Sequence, residues 1–218
     1  MSTGVLPQEL LPLYDSLNHE LIWVHAKWQV YRQIFASSQE DFDLLNRSAP
    51  FFFRVLQQTL FEDVLVSICR LTDPAHTGEK QNRSLAQLLE RLEPVAPAPL
   101  FADLSAGLVE IGRGSAAFRE WRNRRIAHSD LSTALQVTED VLPGISRADI
   151  ETVLSGMRDF MNAVSALYFD SETAYDHFIA VSGGDVLLRM LHKADESARE
   201  ERERYELELR NSMGGKSA

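Results

Sequence analysis

Apolar side chains return along this chain with the period of a helix. Leu10, Tyr14, Leu17, Leu21, Val24, Trp28, Tyr31 and Phe35 follow one another at steps of four and three, which lines one helix face for about seven turns. The polar run 37–41 (SSQED) ends that pattern. A broader stripe of Phe53, Leu56, Leu60, Val64, Ile68 and Leu71, flanked by Phe52, Phe61 and Leu65, predicts a central core helix. It stops ahead of Pro74, because proline disfavours helix at the residue before it. Residues 75–83 read as a polar loop. Ser84 then opens SLAQLLERLE, with Gln87 three residues on as a capping-box partner.

The run 94–99 (PVAPAP) is a rigid connector. It precedes a helix from about 100 to 111, which Gly112 and Gly114 are expected to break or bend, and Ser115 can cap the next piece. Ile150, Val153, Leu154, Met157, Met161, Val164 and Leu167 place a further helix from about 146. A last helix starts near Asp185 and grades into ESAREERERYELELR. There Arg199–Glu203, Arg202–Glu206 and Glu206–Arg210 stand four apart, as on a solvated face laced by ion pairs. With no β pattern or internal repeat, the expected fold is all-α, a single-domain bundle of five to seven helices. Residues 1–194 would form the bundle, and 195–218 a charged C-terminal helix extension with a flexible tail.

Composition narrows this picture. A chain of 218 residues suits one domain with a sizeable core. The single Cys69, in an apolar context, cannot form an internal disulfide and reads as a small buried hydrophobe. No secretory signal pattern opens the chain, and no apolar run approaches the ~20 residues that span a membrane. The expectation is a cytoplasmic protein without membrane association. The net charge of −10 argues against a broad nucleic-acid-coating face. Charge is uneven, however. Residues 113–128 hold five arginines against Glu120, a local +4 that leaves −14 for the remainder.

That basic island contains the candidate chemistry, EWRNRRIAHSD at 120–130. Histidine titrates near neutrality and can take the proton of a ribose 2′-hydroxyl or give one to a leaving oxygen. A guanidinium offers a planar fork of donors that fits a phosphate, and an amide such as Asn123 can orient either. Spacing alone is weak. With 18 arginines and 6 histidines, chance supplies a match or two to Arg-x(4–6)-His, and the chain has two: Arg70 to His76 and Arg122 to His128. The first encloses Pro74 and Asp73, an acid that would repel phosphate, so it reads as a decoy. The second encloses Asn123, Arg124 and Arg125 and no acid.

In an unbroken helix Arg122 and His128 would lie ~120° apart. Their cooperation therefore needs the helix to bend or end within the motif, and Ser129-Asp130 could cap a following helix. The competing explanation is that the cluster complements a helix dipole. His19 and His25 suit core or surface roles, and His177 and His192 belong to no metal-spaced set. Neither a metal site nor a cofactor is expected.

WRNRRIAHSD closely resembles the signature of HEPN domains, small helical bundles whose motif is Arg, a polar residue, then His after four to six residues. The likeness is closer to an abortive-infection branch. There a helix end like SICRLTDP (67–74) precedes a helix start like Asn82 to Leu85, and the Arg-Asn segment follows. The resemblance implies a metal-independent endoribonuclease acting in phage defence, stress response or a toxin–antitoxin system. It also implies a homodimer with its two motifs facing across a two-fold axis. Arg122 would contact the scissile phosphate, Asn123 orient, and His128 serve as general acid or base. Arg119, Arg124 and Arg125 would assist in RNA binding. Asp130 stands where a subgroup with nucleotidyltransferase antitoxins carries tyrosine, so an antitoxin of that kind is not implied, though another is possible. The family also has non-catalytic members that bind RNA, nucleotide or a protein partner, which is the alternative reading.

Overall fold

A computed structural model describes residues 4–127, 144–177 and 182–214, the side chains of 125–127 and 212–214 excepted. Among these residues stand eight α-helices. They are α1 (Leu11–Phe35, entered by a 3₁₀ turn Gln8–Leu10), α2 (Gln39–Ser48), α3 (Pro50–Leu71), α4 (Leu85–Leu92), α5 (Ala98–Gly114), α6 (Ala116–Trp121), α7 (Arg147–Phe169) and α8 (Gly184–Gly214). The all-α expectation holds, with one more helix than the range foreseen.

The extra helix is α2, begun by the polar run that sequence reading took only as a stop. Ser38 is extended, accepts a hydrogen bond from the Asp41 N–H at 3.1 Å and so caps a new helix. The 75–83 loop also holds an unforeseen feature. His76–Thr77 and Lys80–Gln81 pair antiparallel across a turn in which Gly78 has a φ of +59°, a conformation glycine adopts without strain.

The chain forms two compact units, Met1–Trp28 with Thr59–Phe178, and Gln29–Gln58 with Ile179–Ala218. In the first, α1 contributes Leu17, Leu21 and Val24, α3 Val64 and Ile68, α4 Leu88, and α7 Met157 and Val164, all essentially without exposure. Phe118 of α6 is fully buried as well. In the second, Ile34, Leu45, Phe53 and Leu188 form a smaller core, with Val30, Leu56 and Leu191 packed against it.

Helix α5 is not broken at its glycines, as expected from sequence, but carried through Gly114 by close packing on α7. A methyl group on Gly156 would lie 2.9 Å from Ile111 Cγ1, and one on Gly114 2.9 Å from Val153 Cγ2. Gly114 thus sits in close contact with α7, whereas a methyl group on Gly112 would meet nothing within 4 Å. The interruption falls one residue later, at Ser115, whose φ/ψ of −89°/3° turns the chain into α6. Helix α7 begins with a complete capping box, Ser146 and Asp149 bonding each other's backbone N–H groups.

His25 is buried in the first unit, its ring 5.6 Å from that of Tyr175, and burial lowers its pKa to about 4. An unfolded histidine takes its proton near 6.5, whereas the folded one resists until about 4. Its contribution is thus present above pH 6.5 and lost as pH falls toward 4, amounting to about 3 kcal/mol. Urea denaturation across that window is expected to show a clearly smaller pH dependence for His25→Leu than for the parent chain.

Candidate functional site

Three chain segments meet at the C-terminal end of α3. The helix ends at Leu71, ahead of Pro74; Thr72 and Asp73 cover the carbonyls of Ile68, Cys69 and Arg70, which leaves the Thr72 carbonyl in need of a donor. Helix α6 supplies one: Arg119 Nη2 donates to the Thr72 carbonyl oxygen. The other side of the same guanidinium, Nη1, donates to Ser115 Oγ at 3.0 Å and to the Gly112 carbonyl at 3.3 Å. Arg119 therefore ties together the ends of α3 and α5 and the start of α6. The next residue along the chain from Thr72, Asp73, receives Arg122. Arg122 Nη1 reaches Asp73 Oδ1 at 3.0 Å and Oδ2 at 3.2 Å, with both side chains about a quarter exposed.

The third segment holds the loop after α3 in place. Asn82 Nδ2 donates to the Pro74 carbonyl at 2.8 Å and to Thr77 Oγ1 at 2.7 Å, and the Asn82 N–H donates to the Ala75 carbonyl. Ser84 caps α4 by accepting from the Gln87 N–H at 3.2 Å. The Gln87 side chain does not complete the expected box. With its amide oriented to satisfy both neighbours, it donates to the Ala75 carbonyl at 2.9 Å and accepts from Arg91 at 3.2 Å. It pins the loop that carries Asp73.

From Arg122 to Ala127 the winding changes to a π-helix, in which hydrogen bonds span five residues and the turn widens. Residues Arg122–Ala127 are thus wound as a π-helix rather than as regular α-helix. His128 itself lies outside the described residues, as do Ser129, Asp130 and the side chain of Arg125. Asn123 is exposed, and its Oδ1 accepts from Arg122 Nε at 3.2 Å. Arg122 is thereby held on two edges, by Asp73 through Nη1 and by Asn123 through Nε. Nη2 donates to nothing among the described residues. Arg124 turns back along the helix to Glu120, at 2.9 Å. Trp121 is half-buried, edge-on to Phe61 with ring centroids 6.3 Å apart.

Cys69 sits behind this constellation, fully buried. Burial pushes its thiol up to about 11, against the opposing pull of Arg122 and Arg119. It stays a neutral thiol at neutral pH, the hydrophobe that its sequence context suggested. Among the described residues, no three His, Cys, Asp or Glu side chains are grouped to hold a metal ion. Nor is any described helix long and apolar enough to cross a membrane.

The family model HEPN_AbiU2, described as AbiU2, matches residues 7–187. The chain is an abortive-infection-type HEPN protein. No match was found among curated proteins or among solved structures. The three segments that carry the HEPN resemblance, around 67–74, 82–85 and 122–128, are thus neighbours at the end of α3 as far as the described residues extend. Asp73, set aside in the sequence as an acid hostile to phosphate, is the ion-pair partner of Arg122. The signal that could have found it was the helix end Leu-Thr-Asp-Pro itself, a conspicuous stop carrying one acid in an otherwise apolar stretch. His76, from the same stretch, lies 3.1 Å from Glu90 instead.

Charge-assisted hydrogen bonds contribute more than neutral ones, ~1.5–3 kcal/mol. Arg119→Ala removes three donors from one junction. Its urea midpoint is expected to fall by an amount corresponding to about 1–3 kcal/mol, and an unchanged midpoint would refute the junction role.

Proposed function

We propose that this HEPN protein is an endoribonuclease that cleaves RNA at Arg122, Asn123 and His128, drawing its proton transfer and charge stabilisation from these side chains. Its setting would be phage defence, stress response or a toxin–antitoxin system. The supporting observation is the two-sided hold on Arg122, which orients one guanidinium edge at a wide π-helical turn that leads directly to His128. A guanidinium fixed before substrate arrives loses little freedom when phosphate binds, and it stabilises the extra charge of the transition state without rearranging. His128, one residue beyond the turn, is the proton carrier, taking the 2′-hydroxyl proton or protonating the leaving 5′ oxygen. Asp73 is a positioning residue, since it holds Arg122 and does not meet the RNA.

The remaining arginines divide by what already engages them. Arg119 is committed to the α3 and α5 ends, and Arg124 to Glu120, so any RNA contact by either must compete with these bonds. The same compact arrangement would serve a module that binds RNA, nucleotide or a protein partner without turnover. Chemistry separates the two readings. Purified protein is expected to cleave single-stranded RNA with a chelator present, leaving cyclic phosphate ends. His128→Ala and Arg122→Ala should each slow this at least ~10²-fold, and His128→Ala should leave the melting temperature unchanged. Binding with no cleavage by the parent chain would favour the module instead.

A further inference from the structure

The second unit carries a cavity of about 540 Å³ where α2 hands over to α3. Only Ala49 separates the two helices, and side chains of both line the cavity. Phe42 and Asn46, four apart, share one face of α2, and Phe51, Arg54 and Gln57 follow at steps of three on α3. Beneath them lies Phe53, packed into the small core with Ile34, Leu45 and Leu188 and set edge-on to Phe52, ring centroids 5.2 Å apart. The base of the cavity is therefore fixed, while its outer rings meet solvent: Phe42 is 46 % exposed and Phe51 80 %.

Three features of the lining narrow what it would hold. Its apolar surface is largely aromatic, and flat rings stack on flat ligands. Its polar groups are two carboxamides and a guanidinium. Among the described residues, the side chains of Asn46, Arg54 and Gln57 make no hydrogen bond or ion pair, although Gln57 is half-buried. A carboxamide sets a donor and an acceptor in one plane, the complement of the edge that a base presents. The aliphatic side chains of a protein partner would answer neither these groups nor Arg54. Charge is the third feature. No acid lines the cavity, in a chain with 32 aspartates and glutamates against 22 lysines and arginines. The groove of about 920 Å³ between α5 and α7 is the contrast, since Asp103, Glu110, Glu151 and Asp159 edge it and would repel a phosphate. We propose that the α2–α3 cavity binds one unpaired nucleotide of a single-stranded RNA. The base lies against Phe42 and Phe51, its edge meets Asn46 and Gln57, and its phosphate meets Arg54. The site shares no residue with Arg122, Asn123 and His128, and it holds the strand without reacting with it. The choice of a strand over a free nucleotide rests on the ribonuclease reading; the set of rings, amides and cation does not.

Binding of a short fluorescein-labelled oligoadenylate to the full chain carrying His128→Ala, which keeps the strand whole, tests the site. Phe51→Ala should weaken it about 5- to 100-fold, and Phe51→Trp should retain it. Arg54→Ala should lower the slope of log affinity against log salt by about 0.7, which lost packing alone would not do. Val55→Ala, exposed on the same helix but outside the cavity, should change neither. With unlabelled oligoadenylate, the emission of the Phe51→Trp chain should be quenched beyond that of the same chain without it, as a stacked base requires. Equal quenching by adenosine monophosphate at the same nucleotide concentration would overturn the choice of a strand. Affinity indifferent to both Phe51→Ala and Arg54→Ala would overturn the site itself and leave the cavity to a protein partner. The two readings fail separately. RNA cleavage by the parent chain that Phe51→Ala leaves unaltered at low RNA concentration refutes this site alone, and a parent that binds as expected without cleaving refutes only the ribonuclease.

Discussion

The end of α3 is the constraint on which the candidate site depends. Where α3 halts ahead of Pro74, Thr72 and Asp73 fold back to meet the carbonyls of Ile68, Cys69 and Arg70, and the Thr72 carbonyl that follows is met by a guanidinium. Arg119 answers the Thr72 carbonyl, and one turn later Arg122 answers Asp73. Because the two arginines are three apart on one chain, satisfying the first nearly fixes where the second stands. The backbone demand at a helix terminus thus becomes the positional accuracy of a side chain three residues away.

Much of this was legible in the sequence, and what was missed has identifiable causes. Long amphipathic stripes gave α1, α3 and α7, because their burial is dictated by period alone. Helix α2 escaped since its apolar content is slight, with Leu44 and Leu45 its only buried residues. Its start is encoded by Ser38 and Asp41, the polar residues that a periodicity reading treats as an ending. The break expected at Gly112 and Gly114 falls at Ser115, directly after Gly114, whose close approach to Val153 of α7 a sequence does not show. The role of Asp73 as a partner of Arg122 was not legible for a different reason. Its spacing to His76 said nothing of Arg122, 49 residues on, which the fold brings to it as an ion-pair partner.

The two units divide the labour of the chain differently. The first buries long apolar stripes and carries the arginine constellation. The second, though smaller, displays Phe51 at 80 % exposure, Phe52 at 57 % and Tyr205 at 65 %. Family membership, covering residues 7–187, reaches only the opening turns of α8. The exposed half of that helix is thus a feature particular to what lies beyond the shared fold.

The glycine contacts between α5 and α7 carry a consequence for sequence drift. A side chain at Gly156 or Gly114 would press on Ile111 or Val153 near the branch point of each, where neither can swing aside. The strain would move α5, and with it the Gly112 carbonyl and Ser115 that anchor Arg119. Two positions with no chemistry of their own thereby bear on where Arg119 stands, and substitution there would leave every motif residue intact.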